Sequence, residues 1–129
     1  MPLFLPYTAS TQSRVMVFVD GENLAIRYKA ELGGLPHASH VSYEPNVFVW
    51  SPFANRMHGP QNYIRRHYYT STQGGTEAIS DIEERLLKIG IEAPRVFHKP
   101  AREKRSKRVD ITLATEMLTH AHRKNYDIA

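Results

Sequence analysis

Apolar and polar positions follow recognisable periods along most of the chain, and the first clear one opens near its start. The run VMVFV at residues 15–19 is apolar on both alternating faces, which is typical of a strand covered on both sides in a parallel sheet. Asp20 and Gly21 end this run, and residues 23–31 then show a helical period that closes at a glycine pair. This part of the chain therefore predicts a strand, a tight turn and a helix.

Two later segments have the composition of strands. Residues 63–70, YIRRHYYT, are rich in aromatic and β-branched side chains. Simple alternation predicts that one of Tyr68 and Tyr69 is buried and the other exposed. Residues 91–97, IEAPRVF, predict another strand, and Pro94 within it favours a position at the edge of the sheet.

Two segments have the apolar stripe of an amphipathic helix. Residues 76–89 carry apolar side chains at spacings of three and four, with acidic residues early and a glycine directly after. Residues 109–123 show a second stripe, and the last five residues, NYDIA, look like the beginning of one more strand. Residues 35–62 contain one short apolar stretch, VFVW, which is compatible with a strand or a packed loop.

The predicted order of elements is strand, helix, insert, strand, helix, strand, helix, strand. This order is typical of an α/β fold, and it predicts a three-layer α/β/α sandwich with a mainly parallel sheet whose last strand is incomplete. In such folds the ligand sites gather at the carboxyl ends of the strands. Asp20 lies at such an end.

Composition narrows the class of protein. The 129 residues fit one domain, and 41% hydrophobic with 23% charged residues is ordinary for a globular protein. No apolar run approaches the length of a membrane span, and residues 1–13 form a tail without the pattern of a signal peptide, so we expect a cytoplasmic protein that binds no membrane. Cysteine is absent, which excludes disulfides, thiolate metal sites and cysteine nucleophiles. Any catalysis must therefore use carboxylates, histidines, hydroxyls or a metal held by oxygen ligands.

Positive charge is concentrated in one stretch. The formal net charge is +4, and six of the seventeen lysines and arginines fall within residues 98–108, HKPAREKRSKR. The basic side chains closest to the start of the following helix are Arg102, Lys104, Arg105 and Lys107. They could bind phosphates, although a solvated charge run without a ligand is an equal alternative. The seven histidines show no metal-binding spacing, and we expect them at the surface.

Two aspartates stand out by their position. Asp20 ends the first strand and Asp110 opens the last helix, so both should face the same edge of the sheet. A turn residue is the simplest role for Asp20, and a helix N-cap is the simplest role for Asp110. A hard divalent cation, however, needs several oxygen ligands from different elements, and two carboxylates at one edge supply a start. Asn23 could donate and accept hydrogen bonds at the same edge, whereas Glu22 is expected to be solvated.

Two motifs resemble a known family. VFVDGEN at residues 17–23 and KRVDITLATEML at residues 107–118 resemble the NYN domain, the branch of the PIN-like nuclease superfamily that includes LabA-type proteins. The resemblance extends over residues 14–129, and it implies a PIN-like, Rossmann-like α/β/α sandwich with the activity of a metal-dependent ribonuclease. It implies Mg²⁺ or Mn²⁺ as the cofactor and RNA as the partner.

The resemblance also assigns roles to particular residues. Asp20 matches the aspartate at the end of the first strand, Asn23 the asparagine of the same motif, and Asp110 the aspartate that opens the late helix. All three would be catalytic, and the two aspartates would hold the metal. Lys107 matches the basic residue that precedes the late aspartate in the family. Independently of the resemblance, the charge of the basic loop makes Lys107, Arg105, Lys104 and Arg102 the expected nucleic-acid contacts.

The sequence departs from the family at its carboxyl end. NYN domains follow the late helix with a strand and a Ser-Gly-Asp-x-Asp-Phe type turn, whose aspartates complete the metal site, and this turn does not occur before Ala129. We therefore expect residues 14–129 to lack the C-terminal part of the domain. Asp127 lies at the opening of the last predicted strand rather than at its far end, so it is not a substitute.

Three functions are compatible with these observations. The first is a ribonuclease, and the second is a non-catalytic RNA-binding or regulatory module whose metal site is incomplete. The third is a haloacid-dehalogenase-type phosphatase, because such enzymes also open with an apolar strand that ends in aspartate. They use a pair of aspartates, however, and Glu22 occupies the second position here. A homodimer is compatible with the sequence, which does not specify one.

Overall fold

The structure is a computed structural model, and it describes residues 13–55, 61–102 and 106–129. The strands are Ser13–Asp20 (β1), Ser42–Glu44 (β2), Phe48–Trp50 (β3), Gln61–Thr72 (β4) and Ala93–His98 (β5). The helices are Gly21–Leu32 (α1), Thr76–Lys88 (α2) and Lys107–His122 (α3), with a 3-10 turn at Pro52–Asn55. Strands β1, β4 and β5 form a parallel sheet with β4 in the centre, and β2 and β3 form an antiparallel hairpin. The predicted α/β class is confirmed.

The predicted elements are present, with boundaries that differ by a few residues. Helix α1 begins at Gly21, because the Asp20 side chain caps it there. Helix α3 begins at Lys107, two residues before the start of its apolar stripe. The VFVW stretch forms strand β3, and β5 lies at the edge of the sheet as Pro94 indicated. Within the described ranges, no helix is long and apolar enough to span a bilayer.

The main hydrophobic core lies between one face of the sheet, helix α2 and the β2–β3 hairpin. Helix α2 contributes Ile82 and Leu86 to this core, and both are buried. Full burial of such a side chain stabilises a fold by about 1.5–3 kcal/mol. The other buried members of the core are Val47, Phe48, Tyr68 and Ile91. The predicted amphipathic helix is therefore confirmed with its apolar stripe facing the sheet.

The opposite face of the sheet is covered by α3. Phe18 of β1 stacks on His67 with ring centroids 5.0 Å apart, and it packs edge-on against Tyr126. Because the sheet is covered on both faces, Tyr68 and Tyr69 are both fully buried, and the prediction that one would be exposed is wrong. His67 is also buried, so the expected surface position is wrong for this histidine.

The last residues begin a further parallel pairing on the outer edge of β1. The backbone N–H groups of Asp127 and Ile128 donate to the Arg14 carbonyl at 2.8 and 3.0 Å, and the Met16 N–H donates to the Ile128 carbonyl at 3.0 Å. The Arg14 guanidinium pairs with the Asp127 carboxylate at 3.1 Å, and its hydrogen bonds lower the pKa of Asp127. The predicted opening of a final strand is thus confirmed as a bridge to β1.

Candidate active site

The carboxyl ends of three parallel strands meet at one edge of the sheet. Asp20 at the end of β1 is in register with Tyr69, and Thr72 at the end of β4 is in register with His98 at the end of β5. The segments that follow these strand ends are the usual location of sites in such folds. We call this edge the carboxyl rim, and it comprises Asp20, Glu22, Asn23, Ser71, Lys99, Ser106, Lys107 and Asp110.

Asp20 is the N-cap residue of α1. Its Oδ1 accepts a hydrogen bond from the backbone N–H of Asn23 at 3.1 Å. This bond satisfies one of the N–H groups that the start of a helix leaves unpaired. Asp20 therefore has the structural role expected of a residue in this turn. The capping bond also holds its partly exposed carboxylate at the carboxyl rim.

Gly21 allows the turn between β1 and α1 to lie directly on Tyr68. A methyl group at Gly21 would come within 1.9 Å of Tyr68 Cε1. The ring is held in place, because its hydroxyl donates to the Val49 carbonyl at 2.9 Å and accepts from the Val49 N–H at 3.0 Å. Burial raises the pKa of the Tyr68 hydroxyl, so it stays protonated. The glycine thus sets how closely the turn that carries Asp20 approaches the sheet.

Glu22 is buried at the carboxyl rim, with 1% of its surface exposed. Its Oε1 accepts a hydrogen bond from the Ser106 backbone N–H at 2.8 Å. Its Oε2 lies 3.2 Å from Lys99 Nζ and accepts a hydrogen bond from the Ser71 hydroxyl. The expectation that Glu22 is solvated is wrong, because partners from three other parts of the chain take the place of water.

The Glu22 network connects four segments of the fold. Lys99 is 5% exposed, so both charges of the ion pair are removed from water. The desolvation of such a pair is offset only by good geometry and further hydrogen bonds, which Ser71 and Ser106 supply here. Removal of one partner of a buried pair costs about 3–5 kcal/mol. Glu22 therefore holds the start of α1, the ends of β4 and β5, and the start of α3 together.

Asp110 lies in the first turn of α3 and is exposed. The N-cap residue of this helix is Ser106, so the expected capping role of Asp110 is wrong. Asp110 follows Ser106 by four residues, about 6 Å along the helix axis. Because Ser106 is bonded to Glu22, which lies two residues after Asp20, the fold brings the segments that carry the two aspartates to one rim.

The remaining predicted site residues have different surroundings. Asn23 is partly exposed in the first turn of α1, and Lys107 is exposed at the first position of α3. Arg102 is exposed in the turn after β5. Lys104 and Arg105 lie outside the described residues, so their predicted nucleic-acid contacts stay predictions.

The donor atoms of the carboxyl rim suit a hard divalent cation. In the described part of the chain, no three Asp, Glu or His side chains form a group that could hold a metal. Asp20 and Asp110 place carboxylate groups at this rim on a partly exposed and an exposed residue, whereas Glu22 is buried and its oxygens are bound by Lys99, Ser71 and Ser106. Mg²⁺ is commonly bound through one or two carboxylates, with water and substrate phosphates in the other positions. Two aspartates therefore fit this kind of ion.

Ser71 and Lys99 are site residues that sequence reasoning missed. Their signal is their position, since Ser71 lies at the end of β4 and Lys99 directly after β5, at the same edge as an acidic turn. The periodicity of apolar residues marks the buried faces of helices and strands, but it does not indicate which charged residue at a sheet edge becomes buried.

A parallel sheet flanked by helices, with aspartate-bearing segments at its carboxyl edge, is an α/β arrangement consistent with a PIN-like fold. The sequence model of the NYN domain matches residues 14–129. The chain therefore belongs to the NYN domain family, which is part of the PIN-like nuclease superfamily. No curated protein and no solved structure matches the chain at a significant level.

Proposed function

We propose that this NYN domain hydrolyses RNA phosphodiester bonds with Mg²⁺ or Mn²⁺ held by Asp20 and Asp110. The observation that carries the proposal is the hydrogen bond from the Ser106 N–H to Glu22, which ties together the segments that carry the two aspartates. Membership of the PIN-like nuclease superfamily supports the same activity.

The residues of the carboxyl rim would have different roles in the hydrolysis of the phosphodiester. A divalent cation bound there would offset the charge of the phosphodiester and favour attack by water. The side-chain amide of Asn23 would orient the phosphate, and Lys107 would add positive charge where negative charge grows in the transition state. Glu22 is not the general base in this proposal, because Lys99 and two hydrogen-bond donors engage its oxygens.

A second candidate function is a non-catalytic RNA-binding or regulatory module. The observation that favours it is that no group of three metal-ligating side chains exists among the residues described. In that case the exposed cations near the rim, Lys107 and Arg102, would bind phosphates, and Asp20 would serve as a helix cap alone.

The test of the nuclease proposal is the substitution Asp20→Asn. Asparagine caps a helix about as well as aspartate, so we expect the fold to remain while the negative charge is lost. Cleavage of a labelled single-stranded RNA in Mn²⁺ should fall at least about a hundredfold. Binding of the same RNA in EDTA should change by less than about threefold.

The matched control is Asp81→Asn, which neutralises an aspartate of α2 that pairs with Arg85. This variant should cleave RNA like the unmodified chain, and EDTA should stop cleavage by both. Cleavage that continues in chelator contradicts the metal role. RNA binding without cleavage in either metal favours the non-catalytic module, and hydrolysis of a small phosphomonoester without RNA cleavage favours the phosphatase.

A further inference from the structure

A cavity of about 380 Å³ lies between α3 and the strands β4 and β5. Helix α3 packs over β1 and β4, and Arg95 of β5 remains exposed beside it. We call this cavity the distal pocket. Its charged and titratable lining residues are Arg65, His67, Arg95, Glu116, His120 and Arg123.

The distal pocket lies at the opposite end of α3 from the carboxyl rim. Ser106, which is bonded to Glu22, directly precedes the helix, whereas His120 lies in its last turn. At 1.5 Å per residue these two positions are about 20 Å apart along the helix axis. The distal pocket is therefore separate from the rim that carries Asp20 and Asp110.

Positive charge dominates the distal pocket. It is lined by three arginines, Arg65, Arg95 and Arg123, and by one carboxylate. That carboxylate, Glu116, is already engaged by the Arg95 guanidinium and by the Tyr69 hydroxyl, which donates at 2.7 Å. Arg65 and Arg123 have no ion-pair partner among the residues that the structure describes. Two guanidinium groups are thus available to an anion even when both histidines are neutral.

His67 adds a hydrogen-bonding atom that the described part of the fold does not use. It is 5% exposed, and its Nε2 has no hydrogen-bond partner in the described ranges. Burial lowers the pKa of His67, and His120, Arg65 and Arg95 lower it further, while Glu116 acts in the opposite direction. Buried polar atoms usually have a partner. An anion in the distal pocket would favour the protonated form of this ring.

A strip of cationic and aromatic side chains leads from the distal pocket toward the carboxyl rim. Phe97 of β5 has the Cζ atoms of Arg95 and Arg108 at 5.6 and 5.0 Å from its ring centroid. Arg108 is the second residue of α3, directly after Lys107 of the rim. A line of cationic side chains along the surface suits the backbone of a single-stranded nucleic acid, since guanidinium groups bind successive phosphates.

We propose that the distal pocket binds a phosphate group through Arg65 and Arg123. Guanidinium groups match phosphate oxygens with paired hydrogen bonds, and the charge excess of the pocket suits this ligand. The strip through Phe97 favours an RNA strand as the source of the phosphate over a free phosphomonoester. The phosphate site itself does not require catalysis, whereas the choice of RNA as its source rests on the proposed function.

The test measures binding in EDTA, so that its outcome does not depend on whether the domain cleaves RNA. The pocket variant combines Arg65→Gln with Arg123→Gln. The control combines Arg27→Gln with Lys29→Gln, which removes the same charge from exposed positions of α1. The ligands are uridine monophosphate and uridine oligomers of two and about ten nucleotides.

With RNA as the source, the longer oligomer should bind the unmodified chain at least about tenfold more tightly than the dinucleotide. In the pocket variant the longer oligomer should bind no more tightly than the dinucleotide, whereas the control should keep the difference in affinity. The logarithmic salt dependence of the longer oligomer should become shallower by about 0.7 to 1.4 in the pocket variant. Saturable binding of the monophosphate that is lost in the pocket variant alone would also support the phosphate site, and would assign it to a free phosphomonoester.

A second variant tests the proposal by the direction in which the affinity for the longer oligomer changes. Glu116→Gln removes the lining carboxylate and should tighten binding of the longer oligomer, whereas damage to the fold would weaken it. The imidazole resonances of His67 and His120 should shift over the same range of ligand concentration. The proposal is overturned if the pocket variant binds every ligand as the control does and neither histidine resonance moves.

Discussion

The carboxyl rim and the distal pocket both contain charged side chains, but the buried charges of the rim are paired whereas the pocket has an excess of positive charge. At the rim, the buried carboxylate of Glu22 meets the buried ammonium of Lys99 and two hydrogen-bond donors. In the distal pocket, guanidinium groups outnumber carboxylates, and buried His67 has an unpartnered nitrogen within the described ranges. A balanced buried charge fixes backbone segments, whereas an excess of one sign attracts a ligand of the other sign. The comparison thus separates the Glu22–Lys99 pair, whose balanced charge suits a structural role, from the distal pocket, whose excess positive charge suits an anionic ligand.

Removing one charge of the buried Glu22–Lys99 pair should have the largest effect on the free energy of unfolding. Lys99→Met leaves Glu22 buried without its counter-charge, so we expect the free energy of unfolding to fall by about 3–5 kcal/mol. Urea denaturation followed by circular dichroism measures this loss. The double variant Glu22→Gln with Lys99→Met removes both charges and should recover most of it.

The control for this prediction is Lys88→Met, which breaks the exposed pair of Lys88 with Glu84 at 3.4 Å. Such surface pairs contribute about 0.3–0.5 kcal/mol. Equal losses in Lys88→Met and Lys99→Met would mean that the rim pair stabilises the fold no more than a surface pair.

The packing of the carboxyl rim should be the next most sensitive feature. Gly21→Ala places a methyl group within 1.9 Å of the Tyr68 ring, and we expect a loss of about 1–3 kcal/mol in the free energy of unfolding. Gly75→Ala is the control, because an added methyl group there meets no heavy atom within 4 Å and the only expected cost is the poorer capping of α2 by alanine. Comparable denaturation midpoints for the two variants would show that the turn shifts freely over Tyr68.

The distal pocket should show the smallest effect, as a pH dependence of stability. Because burial lowers the pKa of His67 from its ordinary 6.5, the folded state binds fewer protons than the unfolded state. The contribution of this residue is fully present above pH 6.5 and is lost as the pH falls toward the folded pKa, by no more than about 1.4 kcal/mol per pH unit. Urea midpoints between pH 8 and pH 5 measure the slope.

His67→Gln should flatten that slope, since the titrating group is gone. His122→Gln, at an exposed position of α3, should leave the slope of the unmodified chain unchanged. A slope that is the same in all three proteins would mean that His67 titrates alike in the folded and unfolded states.

The location of the candidate site was easier to predict than its internal contacts. Asp20 could be placed because the end of an apolar strand has a local signal, and Asp110 because the start of an amphipathic helix has one. Glu22 could not, since glutamate is rarely buried without a partner and its partner Lys99 is remote in sequence. The basic loop suggested a charged surface at Lys99, where the structure has a buried ion pair.

The burial of His67, Tyr68 and Tyr69 shows how a local rule can conflict with a global one. Alternation along β4 assigns neighbouring side chains to opposite faces, and the prediction took one face to be exposed. The α/β class predicted from the same sequence implies a sheet that is covered on both faces. The structure follows the class, with α2 and the hairpin on one face and α3 on the other.

Strand β1 obtains its neighbours late during synthesis of the chain. One of its edges pairs with β4, which begins at Gln61, and the other receives Ile128. A ribosome adds about 5–20 residues per second, so several seconds pass between the synthesis of β1 and that of β4. During this interval both edges of the apolar run in β1 are unpaired. Unpaired apolar strand edges are where nascent chains associate wrongly. We therefore expect shielding of this strand during that interval to raise the yield of native protein in a cell.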